Sequence, residues 1–325
     1  MNSIFSIIIP CYNISKVVDQ ALKSCLSQKG ISSDEFEIIA INDGSTDDTY
    51  TRLLKYSIYP NVTILNQPNS GLSRTRNHGI KLSKGKYILF LDGDDWLSEN
   101  ALASLLPHLG SADLILFPMV YYYGSERTIN NSLGLVSGKI YTASELLKNT
   151  IGKSQFQSCP APAKCYKRSL FIDHNLHFID GILHEDGPFY LDTISHCKTV
   201  KYLGKFIYYY RQQRPGSITT VKRTWRNAEG IIKGMRHVFE IYGYSNKDIN
   251  YYYLSTSEMQ VFQKYQSKED YRKVINHFSK FETRKFLFRA LINFRFNVRT
   301  FMLGFLIVFL PKLSGYLYAT KHKLY

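Results

Sequence analysis

Several recurrent signatures are missing from this sequence, and each absence removes a class of function. No Gly-x-Gly occurs anywhere, so the glycine-rich turn that brings backbone against a dinucleotide pyrophosphate is lacking. Gly152-Lys153-Ser154 has the ending of a phosphate loop, but Leu147 stands where that loop needs its first glycine. The five cysteines (Cys11, Cys25, Cys159, Cys165 and Cys197) form no C-x-x-C pair, which excludes the usual zinc and disulfide patterns. Their odd, scattered placement fits a reducing cytoplasm. No apolar run reaches the roughly 20 residues that span a bilayer; the longest is FMLGFLIVFL, Phe301 to Leu310. The opening SIIIP has no basic stretch before it and is too short for a signal peptide. No internal repeat or low-complexity tract is visible.

What is present is an ordinary folded-protein composition with an unusual charge. The 325 residues are 44% hydrophobic and 21% charged, enough for one large domain or two small ones. The formal charge of +15 is concentrated at one end. Residues 1–200 carry 18 Lys/Arg against 19 Asp/Glu, whereas residues 201–325 carry 23 against 7. Such a surplus calls for an anionic partner, either nucleic acid or an anionic membrane surface. With no nucleic-acid-binding motif in the chain, nucleic acid is set aside.

Apolar patterning gives the order of elements. IFSIIIP (4–10), FEIIAIND (36–43), NVTILNQ (61–67) and YILFLD (87–92) read as strands. Between them lie helical stretches: one that Ser15 can cap, running to about Gln28, one to about Tyr56, and LSRTRNHGIKLSKG, stopped by Gly85. A fourth, opened by Ser98, follows the last strand. This alternation predicts a mostly parallel sheet flanked by helices, with functional groups beyond the C-terminal ends of the strands. Residues 113–138 turn to strands, HEDGPFYLDTISH (184–196) to a helix, and KYLGKFIYYYRQQRPGSIT to strands and a turn. From about Val221 the chain is helical, basic and aromatic. The expected organisation is an α/β domain over 1–220, in two halves that meet at about residue 110, followed by a helical region over 221–325.

The stretch YILFLDGDDWL ends a buried strand in three carboxylates, Asp92, Asp94 and Asp95. Desolvating such a cluster is costly. Oxygen ligands on a short loop suit a hard divalent cation, Mn²⁺ or Mg²⁺, which takes one or two carboxylates and completes its shell with water and phosphate oxygens. By itself the cluster fits a solvated acidic turn equally well.

Its context is more specific. SIIIPCYN (6–13), AINDGSTDDT (40–49), NSGLSRTRNHGI (69–80) and GKYILFLDGDD (85–95), with HEDGPFY and YYYRQQRPGSIT later, resemble the family 2 glycosyltransferases. The resemblance implies the Rossmann-like GT-A fold and an inverting transfer from a nucleotide sugar. It places Pro10, Tyr12 and Asn13 along the nucleotide pocket, Asp43 on the uracil base and Arg76 near the nucleotide. Asp92 is placed on the ribose or the metal's water shell, Asp94 on the metal, and Asp95 as a third acidic neighbour. Asp186 falls at the position of the base that takes the acceptor proton; the residue-level alternative is a helix N-terminal acid that favours the dipole. Arg211, Arg214 and Ser217 meet the diphosphate or form a basic turn, arginine being matched to phosphate geometry. Where the family often has Ser or Ala, this chain has Gly93.

The Gln-x-x-Arg-Trp signature of processive synthases is absent, since Pro215 follows Arg214. Transfer of a single sugar is therefore expected, and the resemblance implies a UDP-linked hexose or N-acetylhexosamine as the donor. The acceptor would be a glycan or a polyprenyl-diphosphate-linked chain, in capsule, O-antigen or exopolysaccharide synthesis. The basic C-terminus would lie on the inner face of the cell membrane, or pack on the domain with a solvated basic face. The alternative is a non-catalytic relative that binds nucleotide sugar or membrane without transfer.

Overall fold

The computed structural model describes residues 3–124, 126–130, 134–150, 160–214, 222–261, 265–293, 298–313 and 315–316. The chain divides into two compact units: Met1–Leu146 with Gln157–Gly181 and Phe189–Pro215, and Leu147–Phe156 with Ile182–Pro188 and Gly216–Tyr325.

The first unit is built on strands β1 (Phe5–Cys11), β2 (Phe36–Asp43), β3 (Val62–Gln67), β4 (Tyr87–Phe90), β5 (Trp96–Leu97), β6 (Leu114–Leu116), β7 (Met119–Tyr123), β8 (Glu126–Asn130), β9 (Ile140–Tyr141), β10 (Lys164–Lys167), β11 (Val200–Tyr202) and β12 (Tyr208–Arg211). Helices α1 (Val18–Leu26), α2 (Thr49–Leu54), α3 (Leu72–Leu82), α4 (Ala101–Leu105), α5 (Ala143–Thr150), α6 (Ser169–Asp173) and α7 (Asp186–His196) connect them, α5 and α7 each contributing residues to both units.

Eight strands form one sheet in the order β3-β2-β1-β4-β10-β6-β11-β9. Its first half is parallel throughout. Strands β1 and β4 are buried along their whole length, as expected when helices cover both faces of a parallel sheet. On one face Ile7, Ile9, Leu89 and Leu91 pack with Val18, Leu22 and Cys25 of α1 and Leu102 and Leu105 of α4. On the other, Phe90 is ringed by Tyr166, Phe171, Phe178 and Phe189 at centroid separations of 5.4–6.3 Å. Each such buried aromatic or branched side chain contributes about 1.5–3 kcal/mol.

The other half of the sheet departs from a parallel pattern: β10 runs antiparallel to both β4 and β6, and β9 antiparallel to β11. Strands β5-β12-β7-β8 form a second, smaller sheet. Helix α3 also ends sooner than expected, at Leu82. Ser83 takes an extended ψ of 137° and ends the helix before Gly85 is reached. Ser15 does not cap α1, which begins at Val18 without a side-chain cap.

Chain order fixes where a ligand would sit. From β1 the chain steps outward to β2 and β3, then returns to place β4 on the other side of β1. The loops leaving β1 and β4 therefore diverge, and the crevice beyond their C-terminal ends is the natural binding position in such sheets.

The second unit contains α8 (Trp225–Tyr242), α9 (Lys247–Val261), α10 (Lys268–Phe278), α11 (Phe281–Ile292) and α12 (Val298–Phe309). Helix α8 starts with a capping box between Thr224 and Asn227, which satisfies backbone donors at its first turn. Gly304 lets α12 approach Leu291 and Leu254, where an added Cβ would stand 3.0 and 3.4 Å away.

Candidate active site

The loops leaving β1 and β2 are stitched together by polar side chains. Asn13 sits in the left-handed region at φ 51°, which asparagine tolerates better than most residues. Its Oδ1 accepts from the Thr46 amide at 2.8 Å, and its own amide donates to Ser45 Oγ at 3.0 Å. Asp47 accepts from the amides of Ser15 and Thr49 and from the Thr49 hydroxyl. Desolvation opposes ionisation there, but those donors outweigh it and hold the Asp47 carboxyl down to about 2. Pro10 is buried at the end of β1, while Tyr12 presents its ring to solvent, 49% exposed.

Asp43, at the end of β2, is buried and satisfied. Its Oδ1 accepts from Gln67 Nε2, the Ser70 amide and the Ser70 hydroxyl at 2.8–3.0 Å; its Oδ2 accepts from the Gly71 amide at 2.9 Å. Burial alone would raise this carboxyl, yet the hydrogen bonds prevail and lower it. Gly44, next in sequence, has φ +68° and lies so close to the Asn69 backbone that a Cβ would stand 2.5 Å from its nitrogen. Asp43 thus organises the loop between β3 and α3.

The three carboxylates after β4 each have their own partners. Asp92 Oδ1 accepts from Arg76 Nη2 at 2.8 Å. The Arg76 side chain is 1% exposed, and its guanidinium lies 5.2 Å from the Phe178 ring centroid. Asp94 Oδ2 accepts from Arg214 Nε at 2.8 Å, with both side chains about one-fifth exposed. Asp95 is 1% exposed and turned inward. Its Oδ2 accepts from the Tyr208 hydroxyl at 2.6 Å and its Oδ1 from the Arg211 amide at 2.8 Å. Burial, followed by the charges of Asp94 and Asp92, pushes the Asp95 carboxyl well up, against the hydrogen bonds from Tyr208 and Arg211. The repulsion raised by the sequence is thus met by two arginines and one buried tyrosine.

Arg211 locks the same loop from behind. Its Nε donates to the Asp94 carbonyl at 2.8 Å, and its Nη2 donates to Gln20 Oε1. The guanidinium also lies 4.9 Å from the centroid of Trp96. The indole stacks on Tyr209 at 5.2 Å and meets the edge of Tyr122 at 5.0 Å. A cleft of about 590 Å³ beside it is lined by Lys16, Gln20, Lys23, Trp96 and Arg211, among others.

Among the described residues no group of three His, Cys, Asp or Glu side chains is placed to hold a metal by itself. A site of two carboxylates completed by diphosphate oxygens does not need three. Asp92 and Asp94 are partly exposed on one loop at the topological switch, so they suit a divalent cation. Asp95, with both oxygens engaged inside the protein, does not project towards it.

The structure brings Pro10, Tyr12, Asn13, Asp43, Arg76, Asp92, Asp94, Asp95, Arg211 and Arg214 into the first unit, at or behind the ends of β1, β2 and β4. Ser217 lies outside the described residues. Asp186 belongs to the second unit, where it opens α7 beside His184. His184 has φ +64° and its Nε2 lies 3.3 Å from Asn227 Nδ2. Burial, with Arg223 adding to it, lowers the His184 imidazole despite the charge of Asp186.

Tyr208 and Tyr210 escaped sequence reasoning. The signal was available: residues two apart share a strand face, so the face carrying Tyr208 also carries Tyr210. The Tyr210 hydroxyl is pushed up by burial and then by the nearby Asp95 and Asp92.

A mixed α/β sheet with an acidic Asp-x-Asp loop beyond the strand ends at its switch point is the layout of an α/β protein with a ligand-binding crevice there. The sequence pattern described as "Glycosyl transferase family 2" matches residues 6–174, and the chain belongs to that family. It is 30% identical over 225 residues to the uncharacterized glycosyltransferase EpsJ of Bacillus subtilis, a match spanning 68% of this chain and 64% of EpsJ. It is 27% identical over 217 residues to the poly(ribitol-phosphate) beta-N-acetylglucosaminyltransferase TarS of Staphylococcus aureus, over 65% of this chain and 36% of TarS. The matches therefore span less than two thirds of these relatives' length. The crystal structure of S. aureus TarS 1-349 in complex with UDP-GlcNAc superimposes with a TM-score of 0.72 at 19% identity, over 100% of this chain and 93% of that one. The mannosyltransferase PcManGT of Pyrobaculum calidifontis, solved with GDP-Man and Mn²⁺, gives 0.55 at 12% identity, over 100% and 87%. The fold is GT-A, followed by a helical C-terminal region.

Proposed function

We propose that this chain transfers a single hexose or N-acetylhexosamine from a UDP-sugar to a glycan or lipid-linked acceptor, with inversion, in the synthesis of a cell-surface polymer. The observation that carries this reading is the loop Asp92–Asp95 at the switch between β1 and β4, with Arg76 and Arg214 on its carboxylates. TarS was solved with UDP-GlcNAc, which supports a UDP-linked donor. The TarS name gives poly(ribitol-phosphate) as the polymer it glycosylates, which makes a polyol-phosphate polymer as reasonable an acceptor as a capsule or O-antigen chain.

In this reading Tyr12 offers its exposed ring to the nucleobase, and the Asp43-ordered loop closes the far side of that pocket. Asp94 and Asp92 would hold a Mn²⁺ or Mg²⁺ ion, which would supply positive charge to the departing diphosphate. Arg76 holds Asp92 in place through its hydrogen bond to Oδ1. Arg214 stands next to the oxygens on which charge develops, exchanging the Asp94 carboxylate for phosphate when the donor enters, while Arg211 holds the loop from behind. Asp186 takes the proton from the acceptor hydroxyl. Asp95 is a positioning residue held by Tyr208. The enzyme works at the inner face of the cell membrane, where a polyprenyl-diphosphate-linked acceptor is presented.

Thermal-shift measurements against UDP-, GDP- and TDP-sugars, with and without Mn²⁺, test the donor assignment. A UDP-sugar is expected to stabilise the protein more in the presence of Mn²⁺, and Asp94→Asn to abolish that increment while retaining the melting point of the unliganded chain. UDP release should fall by at least about 100-fold in Asp94→Asn, in line with removing a principal electrostatic stabiliser. A metal-independent shift, or full turnover in the variant, would overturn the metal role.

A further inference from the structure

Among the described residues, ten of the 21 exposed large apolar side chains fall between Phe288 and Tyr316. They are not scattered. Helix α12 buries Thr300, Gly304, Ile307 and Val308 on one face. Its other face exposes Val298, Phe301, Met302, Phe305 and Phe309, between 40% and 61%, at the three- and four-residue spacings of a single helical stripe. The rings of Phe301, Phe305 and Phe309 follow one another along it at 6.4 and 4.6 Å. Phe288 of α11, 41% exposed, meets Phe309 at 5.9 Å and extends the surface onto the second helix.

An exposed apolar surface of this kind marks a contact surface, and the charge around it says with what. From residue 283 to the end the chain holds eight Lys/Arg (Arg284 and Lys285 are the first) and not one Asp or Glu. Lys285, Arg289, Arg299 and Lys312 are exposed on or beside α11 and α12. A two-fold contact between copies would bring two such cationic sets together, which is unfavourable. A soluble polyanion would satisfy the cations but leave the phenylalanines in water. An anionic lipid surface satisfies both: apolar side chains enter the headgroup–acyl boundary while Lys and Arg meet lipid phosphates. The helix cannot cross the bilayer, because 12 residues extend only about 18 Å at 1.5 Å per residue against a core of about 30 Å.

We propose that α11 and α12 form a membrane-docking face lying in the plane of an anionic bilayer, with Phe288, Phe301, Met302, Phe305 and Phe309 inserted and Lys285, Arg289, Arg299 and Lys312 on the headgroups. The proposal gives a surface to the membrane partner inferred above, and it is independent of the donor assignment because docking needs neither nucleotide nor metal.

The test is flotation of the full chain with vesicles of phosphatidylcholine alone and of phosphatidylcholine mixed with phosphatidylglycerol, at low and high salt. The protein should float with the mixed vesicles, lose most of that at high salt, and remain behind with phosphatidylcholine alone. Phe301→Ser/Phe305→Ser should weaken binding at least about tenfold by removing inserted area. Arg299→Gln/Lys312→Gln should weaken it by an order of magnitude or more, at about 1 kcal/mol per cation. All four positions are exposed, so the melting curves of these variants should match the parent. Phe305→Trp should show a blue-shifted emission quenched by brominated acyl chains. Equal flotation on neutral and anionic vesicles, unchanged binding in both double variants, or no blue shift in the Phe305→Trp variant on vesicles would overturn the proposal. So would a dimer that Phe305→Glu dissolves while vesicle binding is absent, which would assign the face to a second copy, or binding to soluble polyphosphate alone.

Discussion

Three like charges in four positions persist at the end of β4 because each is answered by a different donor. Asp92 and Asp94 have arginines and stay partly open to solvent; Asp95 has a tyrosine and a backbone amide and is closed off. This division predicts opposite consequences for two single-atom changes. Tyr208→Phe removes the buried hydroxyl that donates to Asp95 and accepts from the Asp92 amide at 3.3 Å. Leaving a buried carboxylate short of a donor costs about 1–3 kcal/mol, so the melting point should fall while Mn²⁺ affinity, read by calorimetry, stays within about threefold if only loop order is affected. Asp94→Asn should do the reverse. A Tyr208→Phe variant that kept its stability but lost Mn²⁺ would make Asp95 a ligand after all.

At the level of elements, the acidic loop is pressed against the end of β1 with no room for a side chain between them. A Cβ on Gly93 would stand 2.3 Å from Ile14 Cδ1 and 3.0 Å from the Pro10 carbonyl. The tighter of these contacts is the end of a flexible side chain, so the loop can be relieved from the β1 side. Gly93→Ala should therefore destabilise by about 1–3 kcal/mol through overpacking, and Ile14→Val in the same chain should return part of it. Additive losses in the double mutant, measured by urea denaturation, would place the strain on the Pro10 carbonyl instead. The small sheet has a comparable effect at longer range, since β12 carries Tyr208 and Arg211 to the loop and Trp96 of β5 stacks beneath Arg211.

The molecule as a whole is two units of different electrical character, and the second holds a half-buried imidazole. His277 of α10 lies 5.4 Å from Trp225 of α8. Burial, then Lys280 and Arg236, lower it to about 4 against the opposing charge of Glu229. A histidine with a depressed folded value binds its proton first in the unfolded chain. Between its ordinary value of about 6.5 and about 4, falling pH therefore favours unfolding, and the stabilisation is complete only above that window. The melting point of the second unit should decline as pH drops from about 7 to about 4, more steeply in the parent than in His277→Gln. Parallel declines would exclude His277 as the cause. Asp43 and Asp47, with lowered carboxyls, act in the same direction at more acidic pH, below the ordinary carboxylate range of about 4.

The sequence by itself determined the alternation of strand and helix over the first hundred residues, the acids at the ends of β2 and β4, the family, and the basic helical end. These are local or repetitive signals: apolar period, turn residues, motif order and charge count. Tertiary structure alone decided what each aspartate does. Asp94 and Asp95 are adjacent and chemically identical in the sequence, yet their partners lie 120 and 113–116 positions away. The pleat of β12 and the register of a sheet assembled late in the chain turn one carboxylate outward and the other in. Asp43 was legible as a strand-end acid; that the β3–α3 loop would saturate its oxygens was not. The antiparallel second half of the large sheet was hidden for the same reason, because strand direction there depends on which neighbours pair across long loops. The apolar face of α12 was visible as a hydrophobic run, but only packing could show which of its side chains the protein itself leaves uncovered.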